Sequence, residues 1–143
     1  MISKTCGYAI RGVIFLALEE NINKKIGVQE IAEELKVPQQ FMGKILQELV
    51  RKDILKSTKG PHGGFYVNDY ILDLSLIKIV EAIDGLGVLK KCFLGREECS
   101  YENPCPMHDE FEVCRSKIFE TFENKNIQYF VEHIEDGSTF LAI

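Results

Sequence analysis

The sequence predicts a mainly α-helical fold, in which a winged helix-turn-helix domain with a two-stranded β-wing precedes a long C-terminal dimerisation helix. Apolar residues recur at helical spacing in several segments of the 143-residue chain. A hairpin sequence rich in glycine follows the third segment, and a longer apolar helical stripe follows a cysteine-rich stretch. We therefore expect a winged domain over residues 1–84, a cysteine-rich cluster-binding loop over 85–106, and the dimerisation helix with a C-terminal tail over 107–143.

The spacing of apolar residues predicts the first three helices. Residues 4–20 form a mostly buried helix, and residues 28–35 a short one with apolar side chains on one face and glutamates on the other. Pro38 interrupts this pattern, because its ring disfavours a helical conformation at the preceding residue yet fits the first turn of a new helix. A third helix is expected over residues 38–52. Its inward side chains are expected to be Phe41, Ile45, Leu46, Leu49 and Val50.

The second and third helices form a helix-turn-helix pattern, in which the third has a polar leading edge. Gln39, Gln40 and Lys44 lie on this edge. A glutamine side chain can pair with an adenine edge through two hydrogen bonds, and a lysine can reach guanine or a phosphate. These residue types fit the major groove of DNA, although the three helices alone are equally consistent with a solvated helix face.

The segment after the third helix has the composition of a β-hairpin. We expect strands at residues 54–55 and 65–67, on either side of a Lys-Gly-Pro-His-Gly-Gly tip. Lys59, His62 and Gly63 lie in this tip, where the lysine and histidine are suited to phosphate or minor-groove contact. Three helices followed by such a wing favour DNA binding over a small helical domain with an unused hairpin.

Charge is distributed unevenly along the chain. The formal net charge is −5, but residues 1–70 carry 10 Lys and Arg against 8 Asp and Glu, while residues 71–143 carry 7 against 14. Between residues 36 and 67, six basic residues face two acidic ones. This asymmetry suggests one face that binds an anion, for which double-stranded DNA is the expected partner.

Two further helices are expected after the wing. Residues 74–85 place apolar side chains at helical spacing and end at a glycine, a common helix stop. Residues 107–123 form a longer helix. Its apolar stripe consists of Phe111, Val113, Cys114, Ile118, Phe119 and Phe122. The same helix of a second subunit is the expected partner of this stripe, and the chain's own winged domain is the alternative. A homodimer would bind the two half-sites of a roughly palindromic operator.

The five cysteines cannot all pair within one chain. No apolar run approaches the roughly 20 residues that span a bilayer, and two glutamates follow directly after the apolar residues 13–18, where a secretory signal would need small residues. We therefore expect a cytoplasmic protein without membrane contact, in which the thiols stay reduced. Cys6 and Cys114 lie in apolar helical segments and are expected to be small buried residues.

The other three cysteines lie in a polar, turn-forming stretch. Cys92, Cys99 and Cys105 are separated by six and five residues, and His108 follows after two more. Wide gaps between thiolates suit an iron–sulfur cluster, whose irons need ligands spread around a larger body than one ion. Zinc, which more often uses cysteines two to four residues apart, and cysteines without a metal are the alternatives.

An enzyme that uses a reactive cysteine would need a base oriented near the thiol. His62, His108 and His133 are the available histidines, and none lies in a recognisable nucleophile motif. We therefore expect no enzymatic activity.

Three motifs together resemble the IscR/NsrR/CymR family of dimeric bacterial winged-helix regulators: SKTCGYAIRG near the start, KGPHGGFYV in the wing, and the Cys-x6-Cys-x5-Cys-x2-His loop. The resemblance covers residues 1–135. It implies a homodimeric transcription factor, usually a repressor, controlled by an iron–sulfur cluster that senses iron–sulfur status, oxidants or nitric oxide. By matching position, it implies thiolate ligands at Cys92, Cys99 and Cys105, with His108 completing a two-iron cluster as in IscR-like members.

Some alternatives stay open within this resemblance. The first gap is six residues where the family commonly has five, so a four-iron cluster is an alternative. NsrR-like members take an oxygen ligand from helix 1 of the partner, at a position that Gly7 occupies here and cannot serve. The CymR-like branch implies a zinc-bound or metal-free regulator controlled by a protein partner. Because clusters are often lost in air, an aerobically prepared sample can lack one.

Overall fold

A computed structural model describes residues 1–97 and 99–141, and it confirms a mainly helical fold with a two-stranded antiparallel wing. In the part of the chain that the structure describes, the elements are α1 (Lys4–Ala17), α2 (Val28–Glu34), α3 (Gln39–Arg51), β1 (Lys56–Thr58), β2 (Gly64–Tyr66), α4 (Asp69–Leu72), α5 (Leu76–Ile83), a 3₁₀ helix (Leu86–Leu89), α6 (His108–Asn124) and α7 (Ile127–Glu135). None of the helices in these ranges is long and apolar enough to cross a lipid bilayer.

Helix α1 is the central element, and α3, α5 and α7 all pack against it. Its Val13 and Leu16 are fully buried, and burial of each side chain contributes roughly 1.5–3 kcal/mol. Ser3 caps the helix, because its hydroxyl accepts a hydrogen bond from the amide of Cys6 at 3.0 Å. The amide of Ser3 also donates to the carboxylate of Asp84 at 2.6 Å. The first turn of α1 is thereby attached to the end of α5.

A tight turn joins α2 to α3. Lys36 adopts a left-handed conformation with φ of 52°, and the amide of Val37 donates to the carbonyl of Ala32 at 2.9 Å. Pro38 follows as the N-cap of α3. The sequence prediction of a helix break at this point is confirmed, and the turn sets α3 against α2.

The inward face of α3 differs partly from the sequence prediction. The predicted residues that are buried are Ile45, Leu46 and Leu49. Phe41 is instead 41% exposed, and its ring meets Tyr8 of α1 edge-on with the centroids 5.9 Å apart. The prediction of a buried Phe41 was wrong because Met42, which is rotated by about 100° around the helix axis, takes the core position. Val50 is half-buried at the edge of the core.

The wing pairs β1 with β2, and Ser57 lies opposite Phe65. The sequence prediction placed the first strand at residues 54–55, but the strand begins at Lys56. Asp53 turns the chain with φ of 57°, so the two apolar residues after it enter the core before the hairpin starts. Their apolar character therefore reflects core burial and not strand formation. The second strand also begins and ends one residue earlier than predicted.

Two glycines allow the wing to lie close to neighbouring backbone. Phe65 and Ile26 exchange two backbone hydrogen bonds. The amide nitrogen of Phe65 lies 2.8 Å from the carbonyl oxygen of Ile26, and that of Ile26 lies 3.0 Å from the carbonyl oxygen of Phe65. A Cβ on Gly64 would lie 2.7 Å from the backbone of Ile26, and φ there is 154°. A Cβ on Gly63 would lie 2.1 Å from the carbonyl oxygen of Thr58. Any other residue at either position would force these backbones apart.

Helices α4 and α7 were not predicted from the sequence. Helix α7 buries Ile127 and Val131 in the core and packs against α1. The amide of Ile127 donates to the carbonyl of Leu74, and the amide of Leu76 donates to that of Lys125, both at 3.0 Å. The chain therefore returns to the winged domain after α6.

Helix α6 has a mixed surface. The part of its apolar stripe that packs against α5 and the 3₁₀ helix consists of Ile118, Phe119 and Phe122. Nearer its N-terminus, Val113 is 71% exposed and Cys114 is also exposed. The prediction that Cys114 is buried was wrong because the stripe leaves the winged domain before it reaches that residue. Cys6 is buried as predicted.

Replacing Gly64 with alanine should destabilise the fold, because the added methyl group meets the backbone of Ile26 and no side-chain movement relieves the overlap. We expect the free energy of unfolding to fall by about 1–3 kcal/mol, measured by urea denaturation followed by circular dichroism. Gly87→Ala is the matched control, since a methyl group added there would meet no atom within 4 Å in the described ranges, apart from its chain neighbours. Equal midpoints for the two variants would contradict this account of the wing.

Candidate DNA-binding surface and cysteine loop

The leading edge of α3 is open to solvent. Gln39, Gln40 and Lys44 are all exposed on the first two turns of this helix. The first turn of α3, which the structure describes in full, contains no acidic residue. The sequence-predicted residues therefore lie together on a surface that does not repel a phosphate backbone.

The wing flanks the second half of α3. Lys59 and His62 are exposed at its tip, and Gly63 is half-buried behind them. A cleft of about 420 Å³ separates the wing from α3. The polar residues that line this cleft include Gln47, Arg51, Ser57 and Lys59. The predicted wing residues therefore lie next to the second half of α3. The first turns of α3 are the part that is expected to contact bases.

The basic residues of this surface differ in how they are paired. Arg51 forms an exposed ion pair with Glu48 at 2.9 Å, and such pairs contribute about 0–1 kcal/mol. Lys44 and Lys59 form no ion pair with any residue in the described ranges. Binding of a phosphate by either lysine would thus break no ion pair with these residues.

A basic contribution from α1 was not predicted from the sequence. The guanidinium of Arg11 lies 4.8 Å from the ring centroid of Tyr8, and the ammonium of Lys4 lies 5.6 Å from it. Because Tyr8 contacts Phe41, both cations lie beside α3. Cations three and four residues from an aromatic residue on a helix share one face, and this spacing could have identified them.

Cys92 begins the cysteine loop, three residues after the 3₁₀ helix. Its side chain is buried, and its carbonyl accepts a hydrogen bond at 3.1 Å from the amide of Gly95, which has a φ of 91°. The backbone amide of Leu94 hydrogen-bonds the thiol and holds the pKa of Cys92 below its usual value, against the opposing effect of burial. The amide of Arg96 acts in the same direction as that of Leu94. This turn therefore favours a thiolate at Cys92.

The loop brings its three thiols towards one another. Hydrogen bonding with the thiols of Cys105 and Cys99 also lowers the pKa of Cys92. The side chain of Arg96 donates to the carbonyl of Asn103 at 2.8 Å and connects the two halves of the loop. Within residues 1–97 and 99–141, however, no three His, Cys, Asp or Glu side chains stand where they could hold one metal ion. Binding of a metal group would thus require the loop to adjust.

His108 lies at the start of α6 and is only 2% exposed. Neither of its ring nitrogens has a hydrogen-bond partner among the described residues. The ring packs edge-on against Tyr101, with the centroids 4.6 Å apart, and the amide of His108 donates to the carbonyl of Cys105 at 2.9 Å. A buried unsatisfied polar group costs about 1–3 kcal/mol, and ligation of a metal by a ring nitrogen would remove that cost. Three neighbouring thiols and this imidazole are therefore donors of the chemical types that bind an iron–sulfur group, once the loop adjusts to bring them together.

Arg115 of α6 also contacts the loop, and this contact was not predicted from the sequence. Its guanidinium forms an ion pair with Glu112, which is the first cause of the lowered pKa of that carboxyl group. Hydrogen bonding with the Cys99 thiol is the main cause that raises the pKa of Arg115, and hydrogen bonding with Glu112 raises the pKa of Tyr101. Since Cys99 and Arg115 are far apart in sequence, no local pattern could have paired them.

The profile of the Rrf2 family, described as iron-dependent transcriptional regulators, matches residues 2–133. The chain belongs to this family. A putative HTH-type transcriptional regulator of Aquifex aeolicus is 31% identical to it over 140 residues, which cover 96% of this chain and 95% of the relative. This Rrf2-family protein is thus a DNA-binding transcriptional regulator, and members of the family are not enzymes.

Solved structures share the fold of this Rrf2-family chain. CymR, the global cysteine regulator of B. subtilis, aligns with a TM-score of 0.75 at 15% identity and covers 93% of this chain and 97% of its own. IscR of T. potens aligns with a TM-score of 0.72 at 16% identity and covers 99% and 93%. The predicted winged-helix fold is confirmed by these likenesses.

The cysteines outside the loop should react very differently with an alkylating reagent. Burial, with a smaller effect of the charge on Asp84, raises the pKa of Cys6 to about 12, so this thiol stays protonated at about pH 8 and is shielded from solvent. Cys114 is exposed. We expect iodoacetamide to label Cys114 well before Cys6 in the folded protein, measured by peptide mass spectrometry at a dilution where the protein is monomeric and no second copy of α6 covers Cys114.

In denaturant the two cysteines should react at similar rates, which serves as the control. Labelling of Cys6 in the folded protein at the rate of Cys114 would contradict the buried position of Cys6.

Proposed function

We propose that this Rrf2-family regulator is a homodimer that represses transcription. We also propose that an iron–sulfur cluster held by Cys92, Cys99, Cys105 and His108 controls its affinity for DNA. The observation that carries the proposal is the buried His108, whose ring nitrogens have no partner in the described ranges, next to three converging thiols. The family description as iron-dependent supports iron over zinc. Because bacterial DNA lies in the cytoplasm, this function places the protein there.

In this proposal, Gln39, Gln40 and Lys44 contact base edges and phosphates in the major groove, while the wing contacts the adjacent backbone through Lys59 and His62. The exposure of all five side chains supports these roles. Gly63 contributes by its backbone, since its close approach to Thr58 shapes the tip. Contacts to base edges specify sequence, whereas contacts to phosphates fix position.

The dimer is proposed from the exposed side of α6. Val113 is 71% exposed, and a groove of about 340 Å³ that is lined by residues of α6, the 3₁₀ helix and the start of the loop is open to solvent. The apolar residues that line this groove include Val88, Leu89, Phe93, Phe111 and Ile118. Exposed apolar surface of this kind marks an interaction site, and a second copy of α6 supplies a matching apolar stripe. Two winged domains would then meet two half-sites of a roughly palindromic operator.

The cluster site is proposed from the donor set. Cys92, Cys99 and Cys105 would supply thiolates, and the unpartnered imidazole of His108 would supply the fourth ligand of a two-iron cluster, with a four-iron cluster as the alternative. When bound, such a cluster supplies reactivity towards oxidants and nitric oxide, and its assembly depends on the supply of iron. The chain contributes the lowered pKa of Cys92, which favours the thiolate that a metal requires.

Packed elements connect the loop to α3. Cys92 follows the 3₁₀ helix, which contacts both α5 and α6, and α5 in turn packs against α1 and α3. A shift of the loop would therefore move elements that carry the DNA-binding surface. Only a difference in ligand affinity between two dimer geometries can drive such a switch. In this proposal the cluster binds one dimer geometry more tightly than the other, because two of its ligands, Cys92 and His108, lie at opposite ends of the loop.

A protein purified without air should contain iron and acid-labile sulfide and be brown, and Cys105→Ala should abolish or strongly reduce both. Cys114→Ala is the matched control, because it removes an exposed thiol of α6 outside the proposed ligand set. The measurements are the absorption spectrum and the iron, zinc and sulfide content per chain. A colourless wild type with stoichiometric zinc, or without metal, would overturn the cluster and favour the regulator that responds to a protein partner.

Substitutions on α3 and the wing should separate sequence reading from phosphate binding. We expect Gln40→Ala to lose about 1–3 kcal/mol of discrimination against a changed base pair. Lys59→Ala should weaken binding to all duplexes and reduce the slope of log affinity against log salt by roughly 0.9. Binding is measured by fluorescence anisotropy, with an operator selected from a random duplex library.

Lys78→Ala on α5 is the control for charge, because this lysine is also exposed and pairs with Glu81 at 3.0 Å. It should leave binding unchanged. If Gln40→Ala discriminated between duplexes as well as the wild type does, α3 would not be the helix that reads bases.

A further inference from the structure

Arg115 carries a hydrogen-bond donor that has no acceptor among the described residues. Nη1 of this side chain is buried and unpartnered, and the side chain as a whole is only 15% exposed. Burial of such a donor from a charged group costs about 1–3 kcal/mol or more. A cationic donor in this position therefore needs a specific explanation.

The surroundings of Arg115 identify the kind of acceptor that is absent. A cavity of about 490 Å³ adjoins the guanidinium and is shared with Cys99 of the loop and Lys90. The two acidic residues that line this cavity are Glu112 and Glu120. Glu112 is already bound to Arg115 through the other guanidinium nitrogen, Nη2. Glu120 pairs with Lys117 at 3.7 Å. The remaining candidate acceptor in the cavity lining is therefore the sulfur at Cys99 or an atom bound to it.

The guanidinium is held firmly in this place. Its ion pair with Glu112 spans one turn of α6, and the carboxylate of Glu112 is in turn hydrogen-bonded by Tyr101. The ring of Tyr101 packs against His108. One connected set of side chains thus joins Arg115 to two of the proposed ligands, Cys99 and His108. An arginine fixed by a carboxylate keeps its remaining donors in a defined direction.

We propose that Arg115 is a positioning residue for the metal group, which orients Cys99 and donates from Nη1 to the sulfur at that corner of the site. This inference rests on the proposed cluster function. Three thiolates bring three negative charges together, and a fixed cation beside one of them reduces their mutual repulsion. Residues that bond to the ligands of a metal typically change its affinity by about 10–100-fold.

The same contact has an electrochemical consequence. Reduction adds negative charge to an iron–sulfur group, and hydrogen bonds to its sulfur atoms set its potential. A nearby cation stabilises the more negative, reduced form. Removal of the guanidinium should therefore lower the midpoint potential, which a residue with only a packing role would leave unchanged.

The test compares Arg115→Met, Arg115→Lys and Glu112→Gln with the wild type, after each protein is reconstituted without air from ferrous iron and sulfide. We expect Arg115→Met to release iron to a chelator about 10–100-fold faster and to have a lower midpoint potential. Arg115→Lys should restore the potential in part, because it keeps the charge but not the planar fork. Glu112→Gln should release iron at an intermediate rate, because it keeps the cation and loses the partner that orients it, whereas loss of the negative charge of Glu112 would itself raise the midpoint potential.

Lys117→Met is the matched control, since this exposed cation of α6 pairs only with Glu120, at 3.7 Å, among the described residues. It should match the wild type in both measurements. Thermal unfolding of the metal-free proteins shows whether each variant folds. If Arg115→Met does not fold, the iron release of Glu112→Gln decides the matter.

The outcomes separate this inference from the function it rests on. A wild type that takes up no iron and sulfide would overturn the proposed function and the inference together. A wild type that holds the cluster, with Arg115→Met equal to it in iron release and midpoint potential, would overturn the role of Arg115 alone.

Discussion

The packing of α3 against the buried helix α1 is the constraint on which the DNA-binding surface depends. Leu46 and Met42 of α3 are fully buried, and both lie close to Gly12 of α1, where a Cβ would be 3.6 Å from one and 3.8 Å from the other. Rotation of α3 would bring these apolar side chains into water, at a loss of roughly 1.5–3 kcal/mol each. The opposite edge of α3, with Gln40 and Lys44, therefore has a fixed direction. The wing is fixed separately, through the two backbone hydrogen bonds between Ile26 and β2.

Helix α1 also connects this surface to the cysteine loop. Its N-terminal cap, Ser3, is bound by Asp84, the residue that ends α5, and the 3₁₀ helix and the loop follow directly. Buried Cys6, one turn into α1, lies in the same small core as Leu89 of the 3₁₀ helix. A displacement at the base of the loop is therefore resisted by the same contacts that hold the first turn of α1. Tyr8, on the next turn of α1, contacts Phe41 of α3, so the N-terminal half of α1 touches both α3 and the elements that lead into the loop.

Local patterns in the sequence were sufficient to predict elements in which buried residues recur at one regular spacing. The spacing of apolar residues located α1, α2, α3, α5 and α6, and the composition of the wing located its tip. The misplaced apolar residues, at 54–55, at Phe41 and at Cys114, have a common cause. Each belongs to an apolar surface, but the sequence does not say whether that surface meets the core, a partner or solvent. Contacts between Cys99 and Arg115 are beyond such patterns altogether, since they depend on how the loop folds over α6.

The cysteine loop is held by a different kind of interaction from the rest of the fold. Of the described residues from 90 to 107, Cys92 alone is buried, so little apolar burial stabilises this segment. Its order depends on polar contacts, such as those of Arg96 and Arg115, which contribute less and are more easily exchanged. Binding of a metal group by its thiols would therefore change the free energy that orders the loop by a large fraction. The stability of the core would hardly change. Because the ends of the loop are attached to the 3₁₀ helix and α6, and both of these elements contact α5, they are the route by which a change in the loop would reach α5.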